Sequence, residues 1–200
     1  MGFAAEDCSA PSFRAARTFR TGVQPNDVVV ADFNSDDNPD LAIVNSVSND
    51  VTVMLGNAAG EFSARGTFPV GWHPTSITVA DFDRDGRLDL ATANHNSHNV
   101  SILIGDGAGG FGAATAVGAG TDPRFVTTGD FNRDGKVDLL VLNAAAAISI
   151  MYGDGAGGFG SGVSVAVSAS PTSVIFPKYG HDFTAERGAR VRLHADLQDG

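Results

Sequence analysis

Acidic side chains alternate over a short stretch in the middle of the chain, in the string ADFDRDGRLDL that begins at Ala80. Numbered from Asp81, oxygen-bearing side chains stand at positions 1, 3, 5 and 9, and Gly86 stands at position 6. Carboxylates this close repel each other, and a bound cation would remove that repulsion. The spacing is similar to the start of an EF-hand loop, in which positions 1, 3 and 5 provide side-chain ligands and position 7 a backbone carbonyl.

The ligand types favour calcium. Hard oxygen ligands in a flexible loop suit Ca²⁺, whereas Mg²⁺ demands stricter octahedral geometry. Zinc is not expected, because no His or Cys lies in the loop. Position 12 is Thr92 instead of the EF-hand glutamate, and apolar, β-branched segments flank the string, so we predict a β-hairpin calcium loop that Asp89 closes. The alternative is a solvated acidic turn that binds no metal.

The string recurs twice, as ADFNSDDNPDL from Ala31 and GDFNRDGKVDL from Gly129, and the first aspartates are 49 residues apart both times. A fixed period of this length is typical of repeat architectures. Asp37 stands in the first copy where Gly86 stands in the second. Because aspartate tolerates the left-handed region less well than glycine, we expect the first site to bind calcium most weakly.

Each unit reads as four short strands separated by Asn-rich or Gly-rich turns. Four strands in one unit of this length are typical of a propeller blade. We therefore predict an all-β fold, an incomplete β-propeller of about three four-stranded blades with partial flanking strands. The predicted boundaries are a disordered segment at 1–12, repeats over 13–175 with blades near 23–70, 71–119 and 120–168, and a divergent, poorly packed or loosely helical tail at 176–200.

The segment ADFDRDGRLDLATAN, with VSILIGDGAGGFG after it, resembles the FG-GAP or VCBS repeat of integrin α-subunit propellers and many secreted bacterial proteins. The resemblance implies a calcium-binding propeller with up to three Ca²⁺, extracellular, cell-surface or periplasmic, that acts in adhesion or ligand recognition. It implies metal-ligating roles for Asp32, Asn34, Asp36, Asn38 (carbonyl) and Asp40, for Asp81, Asp83, Asp85, Arg87 (carbonyl) and Asp89, and for Asp130, Asn132, Asp134, Lys136 (carbonyl) and Asp138.

Composition excludes several classes of function. The formal net charge of −10 lies in the aspartate strings and argues against a nucleic-acid partner. No apolar run is long enough for a membrane span, so membrane insertion is not expected. The single cysteine, Cys8, cannot form a disulfide within the chain, and no signal peptide is visible at the N-terminus.

A second candidate site falls on the face opposite the aspartate strings. Its loops belong to the second unit and combine an aromatic ring with amide and imidazole groups, which could bind a sugar, a peptide carboxylate or, through a His-x-x-His pair, a transition metal. Ordinary polar loops are the alternative reading. The residues are Trp72, His73, His95, Asn96 and His98.

The sequence carries no pattern typical of a catalytic site, so we expect a protein that is not an enzyme. The Gly-rich string from Gly105 precedes a strand and not a helix, which argues against a dinucleotide fingerprint. We expect a calcium-binding module in which Ca²⁺ rigidifies each hairpin, with an unknown protein or carbohydrate ligand, and with further blades supplied by missing sequence or self-association. The alternative is a non-catalytic accessory part of a larger secreted carbohydrate-active or hydrolytic enzyme.

Overall fold

The computed structural model describes residues 16–144, 147–160 and 163–166, together with the backbone of three short strands between 174 and 192. The predicted disordered segment 1–12 lies outside the described residues. Within the described part every regular element is a β-strand, which confirms the all-β prediction. The same residues contain no helix of the length and hydropathy that would cross a membrane.

Twelve strands form three four-stranded antiparallel sheets in simple sequential order, which we call the first, second and third blade. The first blade contains β1 (Pro25–Ala31), β2 (Asp40–Asn45), β3 (Asp50–Gly56) and β4 (Phe62–Pro69). The second contains β5 (Pro74–Ala80), β6 (Asp89–Asn94), β7 (Asn99–Leu103) and β8 (Thr115–Gly118). The third contains β9 (Pro123–Gly129), β10 (Asp138–Asn143), β11 (Ala147–Met151) and β12 (Ser164–Ala166).

A fourth, three-stranded sheet follows, with β13 (Val174–Ile175), β14 (Asp182–Ala185) and β15 (Ala189–Arg192). The expectation of a loosely helical tail over 176–200 is wrong for β14 and β15, which pair as antiparallel strands. Ala185 pairs with Ala189, and the three residues between them are a common length for the loop of a β-hairpin.

The core lies between neighbouring blades. Alternate residues of β2 and β3 face the second blade, where Ala42, Val44 and Val53 pack with Ile77 and Leu90. The opposite face of the second blade packs on the third through a second apolar cluster. The central strands of the second blade are therefore covered on both faces, which explains their nearly continuous burial.

The blades also contact each other beside the aspartate loops. The Gly109 N–H donates to the Phe33 carbonyl at 3.0 Å, and the Gly157 N–H donates to the Phe82 carbonyl at 3.2 Å. The Phe111 ring meets the Phe33 ring edge to face, with 5.6 Å between centroids. The aspartate loops of the first and second blades are thus each held by the turn between the third and fourth strands of the following blade.

A glycine at a close backbone approach stands at the end of each third strand: Gly56 is the last residue of β3, and Gly105 and Gly153 lie two residues beyond β7 and β11. A Cβ on Gly105 would collide with the Leu88 carbonyl oxygen. We predict that Gly105→Ala lowers the free energy of unfolding by about 1–3 kcal/mol, because backbone cannot yield as a side chain can. Gly118→Ala is the matched control, since nothing lies within 4 Å of its added Cβ. Urea unfolding measures both, and equal effects would contradict this account of the contact.

Candidate metal sites

Each aspartate string forms the hairpin loop between the first and second strands of a blade. The carboxylate at position 1 folds the loop around itself: Asp81 Oδ1 accepts the N–H of Arg84 at 2.6 Å, and Oδ2 accepts the N–H of Gly86 at 2.9 Å. Asp32 and Asp130 each accept the backbone N–H groups of positions 5 and 6 at 2.8–3.1 Å. These N–H donors point at the carboxylates and offset part of their negative charge.

Position 3 differs among the loops, whereas position 5 is an aspartate in all three. In the second loop, Asp83 Oδ1 accepts the N–H of Asp85 at 3.2 Å. In the first and third loops position 3 is an asparagine, whose amide also donates to the position-5 carboxylate: Asn34 to Asp36 at 3.0 Å and Asn132 to Asp134 at 3.1 Å. That hydrogen bond replaces a repulsion between two carboxylates, so these loops need a cation less than the second loop does.

The aspartates at position 9 are buried and carry two backbone hydrogen bonds each. Asp89 accepts the Phe82 N–H at 2.7 Å and the Gly105 N–H at 2.8 Å. Asp40 and Asp138 make the equivalent pairs at 2.7–2.9 Å. Sequence reasoning missed this structural role, which joins the loop to the end of the third strand. The available signal was a glycine 15 or 16 residues after each position-9 aspartate.

The pKa of the Asp89 carboxyl is raised, chiefly by burial. The hydrogen bonds from Gly105 and Phe82 oppose this shift, and the carboxylates of Asp83 and Asp81 add to it. A cation among these three groups would reverse the effect of the two neighbours. The pKa of Asp36 is lowered, chiefly by the hydrogen bond from the Asn38 N–H. The pKa of Asp134 is lowered in the same way by the Lys136 N–H.

The second loop brings three carboxylates together. One oxygen each from Asp81, Asp83 and Asp89 lies within 4.8 Å of the other two. Calcium binds oxygen at about 2.3–2.6 Å, so oxygens on opposite sides of the ion are about 5 Å apart. The spacing and the all-oxygen ligand set therefore fit Ca²⁺. Asp85, also predicted as a ligand, forms an ion pair with the Arg87 guanidinium at 3.3 Å and lies outside this group.

The position-7 residues were predicted to offer carbonyl groups. Their N–H groups donate to the position-5 carboxylates at 2.8–2.9 Å, from Asn38, Arg87 and Lys136. Lys136 also pairs through its ammonium with Asp134 at 3.5 Å. The calcium role of the three carbonyl oxygens stays a prediction.

Two residues of each loop adopt left-handed backbone. At position 6, Gly86 and Gly135 have φ of 83° and 77°, and Asp37 has φ of 64°. Position 4 is left-handed as well, at Ser35, Arg84 and Arg133, with φ of 60–65°. The sequence indicated the turn at position 6 through its glycines. It gave no signal at position 4, because serine and arginine have no preference for this region.

The second candidate site lies at the other end of the strands, where β4 leads into β5 and β6 into β7. The His95 N–H donates to the His73 carbonyl at 3.0 Å, and the Asn96 N–H donates to the Trp72 carbonyl at 3.1 Å. The His73 and His95 rings are 5.8 Å apart between centroids. The Trp72 residue is 70% exposed. His98 contacts Asp122 of the third blade, with Nδ1 at 3.1 Å from Oδ1.

A family model described as an FG-GAP-like repeat matches residues 32–92 and 89–141, a range that contains all three aspartate loops and more than half of the chain. No curated protein matches the sequence.

Two solved structures share the fold. A functionally unknown protein from Desulfotomaculum acetoxidans DSM 771 is 21% identical with a TM-score of 0.59, over 74% of this chain and 44% of that one. BBS1N, solved in complex with ARL6DN, is 12% identical with a TM-score of 0.59, over 87% of this chain and 59% of that one. The chain thus spans about half the length of these structures, and at such identities the likeness shows the fold alone.

The left-handed turn at Asp37 generates a test in which charge is held constant. We predict that Asp37→Gly is more stable than Asp37→Ala by about 1–2 kcal/mol, because only glycine accepts this backbone without steric cost. Both variants remove the same carboxylate. Gly86→Ala in the second loop should lose a similar amount, since its added Cβ meets nothing within 4 Å and only the backbone conformation is affected. Denaturant unfolding in chelator gives the three values. Identical stability of Asp37→Gly and Asp37→Ala would contradict the left-handed turn.

Proposed function

The chain belongs to the FG-GAP-like repeat family, and we propose that it is a calcium-binding module of a β-propeller that acts at the cell surface or outside the cell. Its role is adhesion or the recognition of a protein or carbohydrate ligand, without catalysis. The observation that carries the calcium proposal is the group of oxygens from Asp81, Asp83 and Asp89, no two of which are more than 4.8 Å apart.

The three aspartate loops would hold one Ca²⁺ each, up to three in all. In the second loop the ligands are the carboxylates of Asp81, Asp83 and Asp89 and the carbonyl of Arg87, with Asp85 joining after release from its ion pair. Calcium supplies positive charge where the chain concentrates negative charge. In the other two loops an asparagine oxygen replaces one carboxylate, which supports weaker binding there.

Ordering an aspartate loop stabilises more than one hairpin. Asp89 ties its loop to the end of β7 through the Gly105 N–H, and Phe82 in the same loop accepts a hydrogen bond from Gly157 of the next blade. Calcium bound in the loop would therefore rigidify the contact between two blades. Such a scaffold suits recognition, because the loops at the opposite end of the strands, which include Trp72 and His95, are then held on fixed strand ends.

An incomplete propeller is supported by the outer face of the first blade. Val28 and Val30 on β1 are 49% and 59% exposed. Ile77, one repeat of 49 residues after Val28, is 4% exposed because it packs on the first blade. Gly109 lies against the Leu55 side chain of the preceding blade, whereas nothing lies within 4 Å of an added Cβ on Gly60, its equivalent in the first blade.

The segment before the first blade supports the same interpretation. The Phe19 ring meets the Phe62 ring edge to face at 5.5 Å, and one repeat later Phe68 meets Phe111 at 5.4 Å. Phe68 belongs to β4, the outer strand of its blade. Phe19 thus takes the place of an outer-strand residue of a preceding blade, and further sequence or a second copy of the chain would supply the rest of that blade.

Isothermal calorimetry with CaCl₂ tests the calcium proposal. We predict that Asp83→Asn weakens the tightest site about tenfold, since ligand charge sets calcium affinity. The first and third loops already have asparagine at this position, so the variant should fold. Glu61→Gln, which removes an exposed carboxylate outside the loops, should leave the affinity unchanged. Calcium at about 100 times the Kd should raise the free energy of unfolding by about 2.7 kcal/mol per site. Absence of both binding heat and stabilisation would overturn the proposal.

Light scattering after size exclusion tests whether a second copy covers the open face. We predict that the wild-type chain self-associates and that Val28→Glu reduces its mass, with a stability cost of less than about 0.5 kcal/mol at this exposed position. Ile77→Glu at the equivalent buried position should instead lower the free energy of unfolding by about 3 kcal/mol or more. A monodisperse wild-type monomer that Val28→Glu leaves unchanged would exclude self-association through this face.

A further inference from the structure

Backbone hydrogen bonds bring His73 and His95 together in the second blade, at the end of the strands opposite the aspartate loops. The His95 N–H donates to the His73 carbonyl at 3.0 Å. The other blades make the same bond, from Ser46 to Gln24 at 2.9 Å and from Ala144 to Asp122 at 3.0 Å. The repeat thus builds one junction three times, and the second blade has two imidazoles there.

His73 is held in a defined position. Its backbone is left-handed, with φ of 55°, and its N–H donates to Asn49 Oδ1 of the first blade at 2.7 Å. Gln24 and Asp122 adopt the same backbone, with φ of 60° and 53°. The left-handed conformation therefore belongs to the junction and does not depend on the side chain, which leaves the His73 ring available for another purpose.

The two rings suit a shared metal ion. Their centroids are 5.8 Å apart with an interplanar angle of 69°, and both residues are half-buried. Two imidazoles that bind one ion at about 2.0–2.1 Å place their ring centroids about 5–6 Å apart. Among the described residues, neither nitrogen of the His73 ring has a hydrogen-bond partner, so both are available as ligands.

Asn96 sets the orientation of the second imidazole. His95 Nδ1 lies 2.8 Å from Asn96 Oδ1. Because an amide oxygen only accepts, Nδ1 carries the proton and Nε2 keeps a free lone pair. Metal-binding histidines characteristically donate their other ring N–H to such an acceptor, which fixes the tautomer and the ring.

His98 is engaged elsewhere. Its Nδ1 lies 3.1 Å from both the backbone nitrogen and Oδ1 of Asp122, at the junction with the third blade. Asn49 makes the equivalent contact to His73 where the first blade meets the second, so His98 has the structural role that an asparagine has one repeat earlier. The His95-x-x-His98 spacing read from the sequence is therefore a different pair from the one that the fold brings into contact.

We propose that His73 and His95 form a binding site for a divalent transition-metal ion of the Zn²⁺, Ni²⁺ or Cu²⁺ class, with water completing its coordination. Imidazole nitrogen selects these ions over Ca²⁺, which prefers oxygen ligands. The site is separate from the aspartate loops, and it occurs in one blade because the equivalent pairs are Gln24 with Ser46 and Asp122 with Ala144. It does not rest on the calcium proposal.

Zinc titration by calorimetry, with calcium in excess to occupy the aspartate loops, tests the site. The background for this experiment is a variant with His181→Ala and His194→Ala, in which the three histidines of the second blade are the remaining ones. His73→Gln and His95→Ser each introduce the residue that the first blade has at the same junction, so both variants should fold. We expect saturable zinc binding in this background and its loss in either variant. Asn96→Ala should weaken binding about tenfold, as removal of an outer hydrogen bond to a ligand typically does.

His98→Asn is the matched control, because Asn49 has the same place one repeat earlier. It should bind zinc as the background does, and zinc should shift the imidazole NMR signals of His73 and His95 while those of His98 stay in place. Thermal unfolding of each variant verifies that it is folded. Three results would overturn the proposal: no zinc binding in the background, undiminished binding in His73→Gln and His95→Ser, or loss of binding in His98→Asn alone.

Discussion

A buried carboxylate at the end of each aspartate loop is the interaction on which the blades depend. Burying an unpaired charge costs several kcal/mol, so such a group must find hydrogen bonds or a counter-charge. Asp89 accepts backbone N–H groups from Phe82 and Gly105, which belong to different strand connections. The carboxylate therefore determines how the hairpin loop lies against the end of the third strand, and it does so in all three blades.

Several other features follow from that close approach. Gly105 can lie on the Leu88 carbonyl only because it has no Cβ, and this short distance allows its N–H to reach Asp89. Phe82, the other donor to Asp89, presents its carbonyl to the next blade. A polar contact within one blade thus leads directly to a contact between blades, and the carboxylates that a cation would bind also fix the blade geometry.

The sequence predicted the repeat, the all-β fold and the positions of the aspartate loops, because these depend on periodicity and on local turn chemistry. It could not predict the left-handed backbone at Arg84, where the loop geometry overrides a residue with no preference for that region. Nor could it predict the two hydrogen bonds of Asp89, since one donor is 16 residues away and depends on how the strands pair. The helical expectation for the tail failed because short segments without clear periodicity give no secondary-structure signal.

The two ends of the strands differ in which groups make the hydrogen bonds that hold each blade together. At the aspartate end, side chains supply the hydrogen bonds that shape each loop, so a change of residue there changes those hydrogen bonds. At the opposite end, a hydrogen bond between backbone groups joins two connections of the same blade, as in Ser46 with Gln24 and His95 with His73. Because the backbone carries that contact, the side chains differ among the blades while the junction stays the same. A repeat built in this way can acquire a binding site in one blade without disturbing the others, and the pair of imidazoles occurs at this junction in the second blade, where the first has Gln24 with Ser46 and the third has Asp122 with Ala144.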